Sequence, residues 1–398
     1  MARAGNEVMR VGVVTVARSD YGLYRPLLRR LEEDPGVELQ LVAAAMHLDP
    51  RFGDTIREIE GDAFRIAARV EMSPASDTPE AVAQSMGRGT LGFAEAYARL
   101  APDVLVVLGD RYEMHAAVVA AVPFLIPTVH IAGGSLTAGA IDDGLRHSIT
   151  KLSHLHFVET EVYRRRVIRM GEEPWRVHTT GSLSLDNLNG FTPLSLEELN
   201  ARFGLALAPE APPLLVTFHP VTREYRHTQA YMDALLAALS ASGFPAVFTY
   251  PNADTNGRII IEMIEDYASG RDGAFCVPHF GVEGYYSLMS HAAAMVGNSS
   301  SGIMEAASFR LPVVNIGTRQ GGRLAPENVL HTGYGKQEIL AGIRTCTAPD
   351  FREGLAELVN PYGDGQAAER MISVLKSTDL TRSDLIEKAF HEPDALAL

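Results

Sequence analysis

The sequence predicts an α/β protein with two doubly wound, Rossmann-like domains that face each other across a cleft. The chain has 398 residues, which is more than a single hydrophobic core usually supports. In both halves, short runs rich in Val, Ile and Leu alternate with helical patterns, as in parallel sheets covered by helices on both faces. Polar motifs follow several of these runs directly, at the place where open α/β sheets bind their ligands.

The first half contains five apolar runs of strand length. A helix is predicted over 22–33, after the first run. The most apolar stretch, Ala116–Val129, is broken by Pro123 and Pro127 and is too short to cross a membrane, so we expect a buried core segment. The predicted strands span 11–16, 37–44, 103–108, 127–131 and 154–158.

The second half continues this alternation after a segment, 181–188, that has no strong periodicity. We therefore expect the first domain to span 1–185 and the second to begin at residue 186. A helix is predicted over 229–241. The predicted strands of this half span 213–218, 245–250, 294–296 and 312–316.

The composition restricts the classes of partner. The 35 Lys and Arg residues are outnumbered by 49 Asp and Glu residues, which gives a formal net charge of −14. Such a surface repels nucleic acids, so an anionic small molecule has to be held by individual arginines. Two cysteines, Cys276 and Cys346, are too few for a disulfide framework or a four-thiolate zinc site and fit a cytoplasmic location. The first ten residues have no apolar core, so we expect no signal peptide.

Two motifs in the second half suit an anionic ligand. The run that begins at Asn298 contains three serines and opens a predicted helix, where Ser299 and Ser300 could bind a phosphate; the alternative is a simple helix cap. Glu305, one turn later, could accept hydrogen bonds from ribose hydroxyls or be a solvated charge. His219 ends a predicted strand before a proline, and a structural role is as compatible with this position as a catalytic one.

Three motifs in the first half are further candidates. Asp110 and Arg111 end a buried strand and could serve as a base and a phosphate clamp, or form a structural salt bridge. Arg18 would point into the cleft or belong to an ordinary turn. Asp142 lies in the first turn of a predicted helix, where it could be catalytic or only complement the helix dipole. Structural and functional roles stay equally open for three histidines, namely His47, His130 and His147.

Taken together, these motifs resemble the non-phosphorylating, hydrolysing UDP-N-acetylglucosamine 2-epimerases, especially the branch that serves sialic and legionaminic acid synthesis. The matching segments run nearly from end to end. They span 18–22, 47–55, 109–113, 139–143, 146–156, 250–254, 297–305, 317–320 with Arg323, and 360–365.

The resemblance implies a glycosyltransferase-B-like fold, with a second domain over 186–370 and a C-terminal segment, 371–398, that packs back on the first domain. It implies that no cofactor and no metal are required. We expect a small-molecule sugar nucleotide or sugar phosphate as partner, no membrane, and a homodimer or homotetramer. Arg111, Arg146 and His47 lie in matching motifs and are further candidates for substrate binding. The residues that match the family's diphosphate-binding positions are Arg18, His219, Ser299, Ser300, Glu305 and Arg319.

The family reaction eliminates UDP across C1–C2 and then hydrates the resulting glycal with inversion at C2. Asp110 and Asp142 match two catalytic carboxylates. The family's third acid is a glutamate at the position of Ala132 or of Ser135, and this chain has neither. His130 and His219 are the candidates to replace it, and a histidine in that role predicts a limb of the rate profile near pH ~6.5.

Two other functions remain open at this point. A diverged glycosyl-transferring enzyme would expel pyrophosphate or a nucleotide from C1 and capture the sugar with another nucleophile, such as a nucleobase. It needs no abstraction of the C2 proton, so the missing glutamates would not matter. A non-catalytic sensor of sugar nucleotides is the third hypothesis.

Overall fold

The computed structural model describes residues 8–53, 55–76, 78–137, 141–251 and 257–392, except the side chains of 222 and 223. The motif positions 54, 139–140 and 252–254 therefore lie outside the described residues. The chain forms two compact units. The first contains 1–186 together with 362–398, and the second contains 187–361.

The first unit is built on a sheet of seven parallel strands in the order β3-β2-β1-β4-β5-β6-β7. Its central strands are almost wholly buried, because they carry apolar side chains on both faces and helices cover both faces. The strands are β1 (Met9–Thr15), β2 (Val37–Ala44), β3 (Ile66–Val70), β4 (Val104–Leu108), β5 (Thr128–Ile131), β6 (Leu155–Val158) and β7 (Val177–Thr179). The helices are α1 (Arg18–Glu33), α2 (Ile56–Gly61), α3 (Pro79–Leu100), α4 (Tyr112–Ala121), α5 (Ile141–Leu152) and α6 (Glu161–Arg169).

The second unit has a six-stranded parallel sheet in the order β10-β9-β8-β11-β12-β13, which is the strand order of a Rossmann fold. The strands are β8 (Leu214–Thr217), β9 (Ala246–Thr249), β10 (Ala274–Val277), β11 (Ala294–Gly297), β12 (Val313–Ile316) and β13 (Val329–Thr332). The helices are α7 (Leu196–Phe203), α8 (Thr228–Ser242), α9 (Gly257–Ser269), α10 (Gly281–His291), α11 (Ser301–Met304), α12 (Lys336–Thr347) and α13 (Pro349–Gly354).

The C-terminal return to the first unit begins earlier than predicted. It starts at Tyr362 rather than at residue 371, and the crossing into the second unit falls after Asp186 rather than after 185. Two sets of contacts account for the early return. The amide of Ser182 donates to the carbonyl of Tyr362 at 2.7 Å, and the carboxylate of Asp186 accepts from the amides of Ala367 and Ala368 at 2.8 and 2.7 Å. The returning helices are α14 (Ala367–Ser377) and α15 (Ser383–Ile386).

The sequence predicts a buried core segment over 116–129, and most of this stretch is buried, but four of its apolar residues are not. Val119, Val122, Phe124 and Leu125 expose between 36% and 66% of their surface. They lie at the end of α4 and in the single 3-10 turn that follows it, where one face of the chain points away from the sheet. Among the described helices, none is long and apolar enough to cross a membrane.

Candidate functional site

The candidate residues follow the strands at which each sheet changes its winding direction. In the first unit this point lies between β1 and β4, and in the second between β8 and β11. Ligands of open α/β sheets bind outside the carboxyl ends of such strands. Arg18 and Asp110 follow β1 and β4, and His219 and Ser299 follow β8 and β11.

The second unit contains a pocket of about 390 Å³ beside β8 and β11. This volume lies in the range of small-molecule sites. The pocket brings together all the second-unit residues that the sequence analysis proposed for ligand binding. It is lined by His219, Ser299, Ser300, Glu305 and Arg319, together with Tyr285.

The serine motif lines this pocket because the ends of β8 and β11 lie very close together. Gly297 has φ +142°, and a side chain there would lie 1.9 Å from the carbonyl oxygen of Thr217, so only glycine allows the two strand ends to meet. As predicted, the motif opens a helix, but this helix, α11, is short and spans only Ser301–Met304. A single turn offers little helix dipole, so the hydroxyl groups of Ser299 and Ser300 are the main polar groups that this motif presents to the pocket.

Asn298 connects two candidate residues, His219 and Arg319, beneath the pocket. Its fully buried side chain accepts from the amide of His219 at 2.6 Å and donates to the carbonyl of the same residue at 2.8 Å. Its own carbonyl accepts from Arg319 Nη1 at 3.2 Å and from Gln320 Nε2 at 2.8 Å. Asn298 therefore fixes His219 and Arg319 relative to each other. Sequence analysis included Asn298 in the serine motif but did not predict that it connects His219 and Arg319.

His219 is neutral over the physiological pH range. Burial, assisted by the positive charge of Arg319, lowers the pKa of its imidazole to about 3. The lowered pKa therefore does not favour His219 as the source of a limb of the rate profile near pH 6.5. A neutral imidazole in the pocket can still donate one hydrogen bond to a bound anion.

In the first unit, Asp110 pairs with Arg146 rather than with its neighbour Arg111. One terminal nitrogen of the Arg146 guanidinium contacts the Asp110 carboxylate and also donates to Thr137 Oγ1 at 2.8 Å. The other donates to the carbonyl of Ser135 at 3.0 Å. Arg146 is 5% exposed, whereas the Asp110 side chain is 25% exposed. The carboxylate is thus held in place and remains accessible.

Arg111 is not placed as the predicted phosphate clamp. Its guanidinium is bound by Glu113 through two contacts, Nη2 to Oε1 at 2.8 Å and Nε to Oε2 at 3.1 Å. Burial would lower the pKa of Arg111, but the charges of Glu113 and Asp20 outweigh it and raise the pKa. Arg111 acts instead as a local counter-charge between carboxylates.

Asp142 lies in the first turn of α5 and is partly buried. Burial raises the pKa of its carboxyl, and the nearby Arg111 charge offsets part of that increase. The adjacent Asp143 has a different environment, because its Oδ1 accepts from the amide of Thr137 at 2.9 Å and lies 3.5 Å from Arg146 Nη1. Sequence analysis proposed Asp142 as the catalytic carboxylate and assigned no role to Asp143.

His130 is fully buried in β5 and does not reach the surface of the first unit. Its Nδ1 lies 3.0 Å from Thr150 Oγ1, and its Nε2 lies 2.8 Å from the carbonyl oxygen of Gly109. Burial lowers the pKa of His130 to about 3. Its burial and the engagement of both ring nitrogens do not favour His130 as the replacement for the missing acid.

His47 is also buried, which contradicts its predicted contact with substrate. Its Nε2 lies 2.9 Å from Thr15 Oγ1 and its Nδ1 lies 3.0 Å from Thr55 Oγ1. The Thr15 hydroxyl also donates to Asp20 at 3.1 Å. Burial raises the pKa of Asp20 to about 6 and lowers that of His47 to about 4. This chain of hydrogen bonds fastens the segments that follow β1 and β2 and is structural.

Arg18 begins α1 and is more than half exposed. Its Nε lies 3.1 Å from Glu58 Oε1 in an ion pair open to solvent. Such pairs contribute little stability, about 0–1 kcal/mol, so an anion can compete for the guanidinium.

Comparison with known proteins agrees with the geometry. Residues 29–376 match the model of a protein family described as UDP-N-acetylglucosamine 2-epimerase. The hydrolysing UDP-N,N'-diacetylbacillosamine 2-epimerase of Legionella pneumophila is 35% identical over 96% of this chain and 99% of its own length. The hydrolysing GDP/UDP-N,N'-diacetylbacillosamine 2-epimerase of Campylobacter jejuni is 38% identical, covering 81% of this chain and 83% of its own.

Solved structures show the same fold. A UDP-GlcNAc 2-epimerase from Neisseria meningitidis bound to UDP-GlcNAc aligns with a TM-score of 0.77 at 19% identity, covering 93% of this chain and all of the other. A protein from Listeria monocytogenes aligns with the same TM-score at 17% identity, covering 94% of this chain and 98% of the other. The predicted glycosyltransferase-B-like class of two Rossmann-like domains is confirmed. Because the family model and these relatives match nearly the whole chain, the protein belongs to the UDP-N-acetylglucosamine 2-epimerase family of enzymes.

Proposed function

We propose that this protein is a hydrolysing 2-epimerase that acts on UDP-N-acetylglucosamine or a related nucleoside-diphosphate amino sugar, such as UDP-N,N'-diacetylbacillosamine. The observation that carries the proposal is the accessible carboxylate of Asp110, held by the buried Arg146, in a chain of this family. The relatives from Legionella and Campylobacter are named for the diacetylated sugar, and both are described as hydrolysing.

The proposed reaction converts a UDP-sugar and water into UDP and the free 2-epimer. A base removes the C2 proton while the bond between C1 and the diphosphate oxygen breaks, which leaves a glycal and releases UDP. Water then adds its oxygen to C1, and a proton returns to C2 from the opposite face. Asp110 and Asp142 carry these proton transfers in the proposal, since both are partly accessible carboxylates at the carboxyl edge of the first sheet.

The pocket of the second unit is proposed to hold the nucleoside diphosphate. Arg319 supplies positive charge, and the hydroxyls of Ser299 and Ser300 and the neutral imidazole of His219 supply hydrogen-bond donors. Glu305, which is 8% exposed in the same pocket, is proposed to accept from the ribose hydroxyls.

The missing family glutamate requires another proton donor. His130 is buried and His219 is neutral, so neither histidine supplies it. In our proposal Asp142 performs this transfer in addition to the role of the family carboxylate that it matches, because burial raises the pKa of its carboxyl and so favours proton donation.

The two other functions considered from the sequence are not favoured. A glycosyl-transferring enzyme or a non-catalytic sensor would be expected to resemble proteins of those kinds. The relatives from Legionella and Campylobacter, which cover 96% and 81% of this chain, are instead hydrolysing 2-epimerases by name.

A direct assay tests the proposed reaction and the choice of substrate. The protein is incubated separately with UDP-N-acetylglucosamine and UDP-N,N'-diacetylbacillosamine, and the products are followed by proton NMR. We expect stoichiometric UDP and a free 2-epimerised sugar from at least one substrate. Release of UDP with the original configuration retained at C2 would contradict epimerisation, and binding without turnover would favour a sensor.

The proposal includes a homo-oligomer in the cytoplasm. From Met114 to Ile141 the chain has no Asp, Glu, Lys or Arg, and exposed apolar side chains cluster at the end of α4. Such a surface suits a contact with a second copy. Light scattering should give a dimer or tetramer, and Leu125→Asp, at a side chain that is 66% exposed, should shift it toward the monomer. The two free cysteines are compatible with a reducing compartment.

A further inference from the structure

The buried imidazole of His130 connects three elements of the first unit. It lies in β5, its Nδ1 meets Thr150 Oγ1 from α5 at 3.0 Å, and its Nε2 meets the carbonyl oxygen of Gly109, after β4, at 2.8 Å. The side chain is 0% exposed. It therefore has no route to substrate, yet it is hydrogen-bonded at both nitrogens.

The partners of His130 determine its tautomer. A carbonyl oxygen can only accept, so Nε2 must carry the proton that is donated to Gly109. The ring is neutral, because burial lowers the pKa of His130. Its Nδ1 then carries a lone pair and accepts from the Thr150 hydroxyl. The Gly109 carbonyl thus determines the tautomer, and the Thr150 hydroxyl, which can donate or accept, holds the ring in place by donating to Nδ1.

The Gly109 carbonyl belongs to the same planar peptide unit as the amide of Asp110. Gly109 has φ +81°, a conformation that glycine adopts without strain, so the surrounding contacts decide how this peptide is oriented. The amide of Gly109, which belongs to the preceding peptide unit, donates to the carbonyl of Ile131 at 3.0 Å and is fixed by this contact. The hydrogen bond from His130 fixes the carbonyl of Gly109 and thereby the Gly109–Asp110 peptide. The orientation of this peptide sets the direction in which the Asp110 side chain leaves the sheet.

Two residues on one face of α5 position Asp110, one through its carboxylate and the other through its backbone peptide. Arg146 and Thr150 are four residues apart and lie on the same face of the helix. Arg146 contacts the Asp110 carboxylate directly, and Thr150 reaches the Asp110 peptide through His130. Movement of α5 would alter both contacts together.

Gly133 leaves room for the hydrogen bond between His130 and Thr150. A Cβ at Gly133 would lie 3.1 Å from both His130 Nδ1 and Thr150 Oγ1, closer than ordinary packing allows. Gly133 has no positive φ, so alanine there is compatible with the backbone and acts mainly by pressing on this hydrogen bond.

We propose that His130 and Thr150 are positioning residues that orient the Gly109–Asp110 peptide and so hold the Asp110 carboxylate for proton transfer. The proposal rests on the proposed function in that Asp110 is taken to act on the sugar. It assigns His130 a role in the reaction without contact with substrate.

Paired variants test the proposal through kcat and KM for the substrate that the wild type turns over. His130→Leu removes the donor to Gly109, and we expect kcat to fall on the order of 10²-fold, as for small displacements of a catalytic group, with KM within about twofold. His130→Gln restores an N–H at about the position of Nε2 and should recover at least a tenth of the wild-type kcat. Thr150→Ser keeps the hydroxyl and should exceed the isosteric Thr150→Val in kcat. Gly133→Ala should lower kcat in the same way.

The outcomes separate positioning from catalysis and from simple stability. A positioning role leaves the pH profile of the remaining activity unchanged in His130→Gln. Loss of a limb of that profile would instead make His130 an acid or base and overturn the proposal. It is also overturned if His130→Leu keeps kcat within twofold, if Gln is no better than Leu, or if Thr150→Val equals Thr150→Ser. If His130→Leu does not fold, the kcat values of Thr150→Ser, Thr150→Val and Gly133→Ala test the proposal instead.

A readout without turnover keeps the proposal separate from the proposed function. In nitrogen-15 NMR at pH 7, the His130 ring should show a protonated Nε2 and a lone pair on Nδ1. Thr150→Val should leave the proton on Nε2, because the Gly109 carbonyl still requires a donor, and should shift mainly the Nδ1 signal, which loses its hydrogen-bond donor. A protonated Nδ1 in the wild type would overturn the proposal even if the enzyme is an epimerase. Absence of turnover together with the expected tautomer would instead refute the proposed function.

Discussion

The guanidinium of Arg146, in the second turn of α5, contacts the carboxylate of Asp110 at the end of β4. Arg146 is nearly buried and has further partners in Ser135 and Thr137, so it stays in place when the charge of Asp110 changes. The sequence leaves open whether Asp110 forms a structural salt bridge or serves as a base, and the structure is compatible with both. Asp110 forms a salt bridge with Arg146, and its carboxylate is still accessible.

Asp110→Asn should therefore keep the fold while removing most turnover. The amide can still accept from Arg146 but cannot take up a proton, and the loss of an acid–base group typically lowers the rate by about 10²–10⁴-fold. Turnover is measured by UDP release and stability by thermal denaturation. A variant that fails to fold, or that keeps more than a tenth of the activity, would contradict the assignment.

Asp142 and Asp143 provide a matched pair on one turn of α5. Asp142→Asn should lower kcat by about 10²-fold or more, as for loss of a general acid. Asp143→Asn should have a much smaller effect, because an asparagine oxygen can still accept from the amide of Thr137. Equal losses in the two variants would show that the helix start as a whole, rather than the Asp142 carboxyl, is required.

The pH dependence of kcat should report Asp142 and neither histidine. Burial raises the pKa of Asp142 above its ordinary value of 3.8. If the protonated form donates, activity falls as the pH rises through this raised pKa, and the limb should disappear in Asp142→Asn. The pKa values of His130 and His219 are lowered to about 3, so both are neutral above pH ~5 and contribute no limb near 6.5. If the wild type showed a limb near pH 6.5 and this limb disappeared in His219→Gln, the assignment of the pH dependence to Asp142 would be contradicted.

Arg319→Ala should weaken the binding of UDP by about 1.5–3 kcal/mol, the range for a hydrogen bond to a charged group. Arg319 lines the pocket of the second unit and lies close enough to His219 to lower its pKa. Arg344→Ala, at an exposed position of α12 in the same unit, removes the same charge away from the pocket. Calorimetry should show a large change for the first and little for the second. Equal effects would indicate a general effect of net charge.

The C-terminal segment is fastened to the first unit by a buried carboxylate. Glu172 is 0% exposed and accepts from Lys151 at 2.6 Å, Lys388 at 2.9 Å and His156 at 2.9 Å. Lys388 also donates to the carbonyls of Lys151 and Ser153, at the end of α5. Breaking a buried pair on one side is costly, so Lys388→Met should destabilise the protein by about 3 kcal/mol.

Lys376→Met is the control for this prediction. Lys376 pairs with Asp34 at 2.6 Å, but its side chain is 50% exposed, and loss of such a pair should cost less than about 1 kcal/mol. Both variants are compared by urea denaturation. Equal changes in the free energy of unfolding would contradict the importance of burial at Glu172.

The same cluster predicts how stability depends on pH. Burial would raise the pKa of Glu172, but the contacts with His156, Lys151 and Lys388 outweigh it and lower the pKa to about 2. Because the folded-state pKa lies below the ordinary value of 4.5, this stabilisation is fully present above pH 4.5 and is lost as the pH falls toward about 2. Glu172→Gln should show a smaller loss of stability between pH 4.5 and 2 than the wild type. An equal loss would show that other groups cause the acid sensitivity.

Sequence reasoning predicted the central strands of both sheets and missed β3, β7, β10 and β13. These four are the edge strands. An edge strand packs against one neighbour and is partly exposed, as the pattern of β13 shows, with all four residues at least partly accessible. It therefore lacks the continuous apolar run by which buried parallel strands are recognised.

The candidate site was predictable in its positions and less so in its roles. Polar residues directly after buried strands identified Asp110, His219 and Ser299, because strand ends at a switch point meet at one edge of the sheet. The burial of His47 and His130 was not predictable, since their threonine partners come from elsewhere in the chain. A strand-end histidine looks the same in the sequence whether it faces the pocket or the core.

The most direct test of the central claim is the isotope content of the product in deuterium oxide. The wild-type enzyme is incubated with its substrate in D₂O, and the free sugar is examined at C2 by NMR. Elimination through a glycal followed by hydration predicts one deuterium at C2 in essentially every product molecule, with inverted configuration. A product that keeps its original hydrogen at C2 would contradict the proposed mechanism, because its C2 proton would never have been removed.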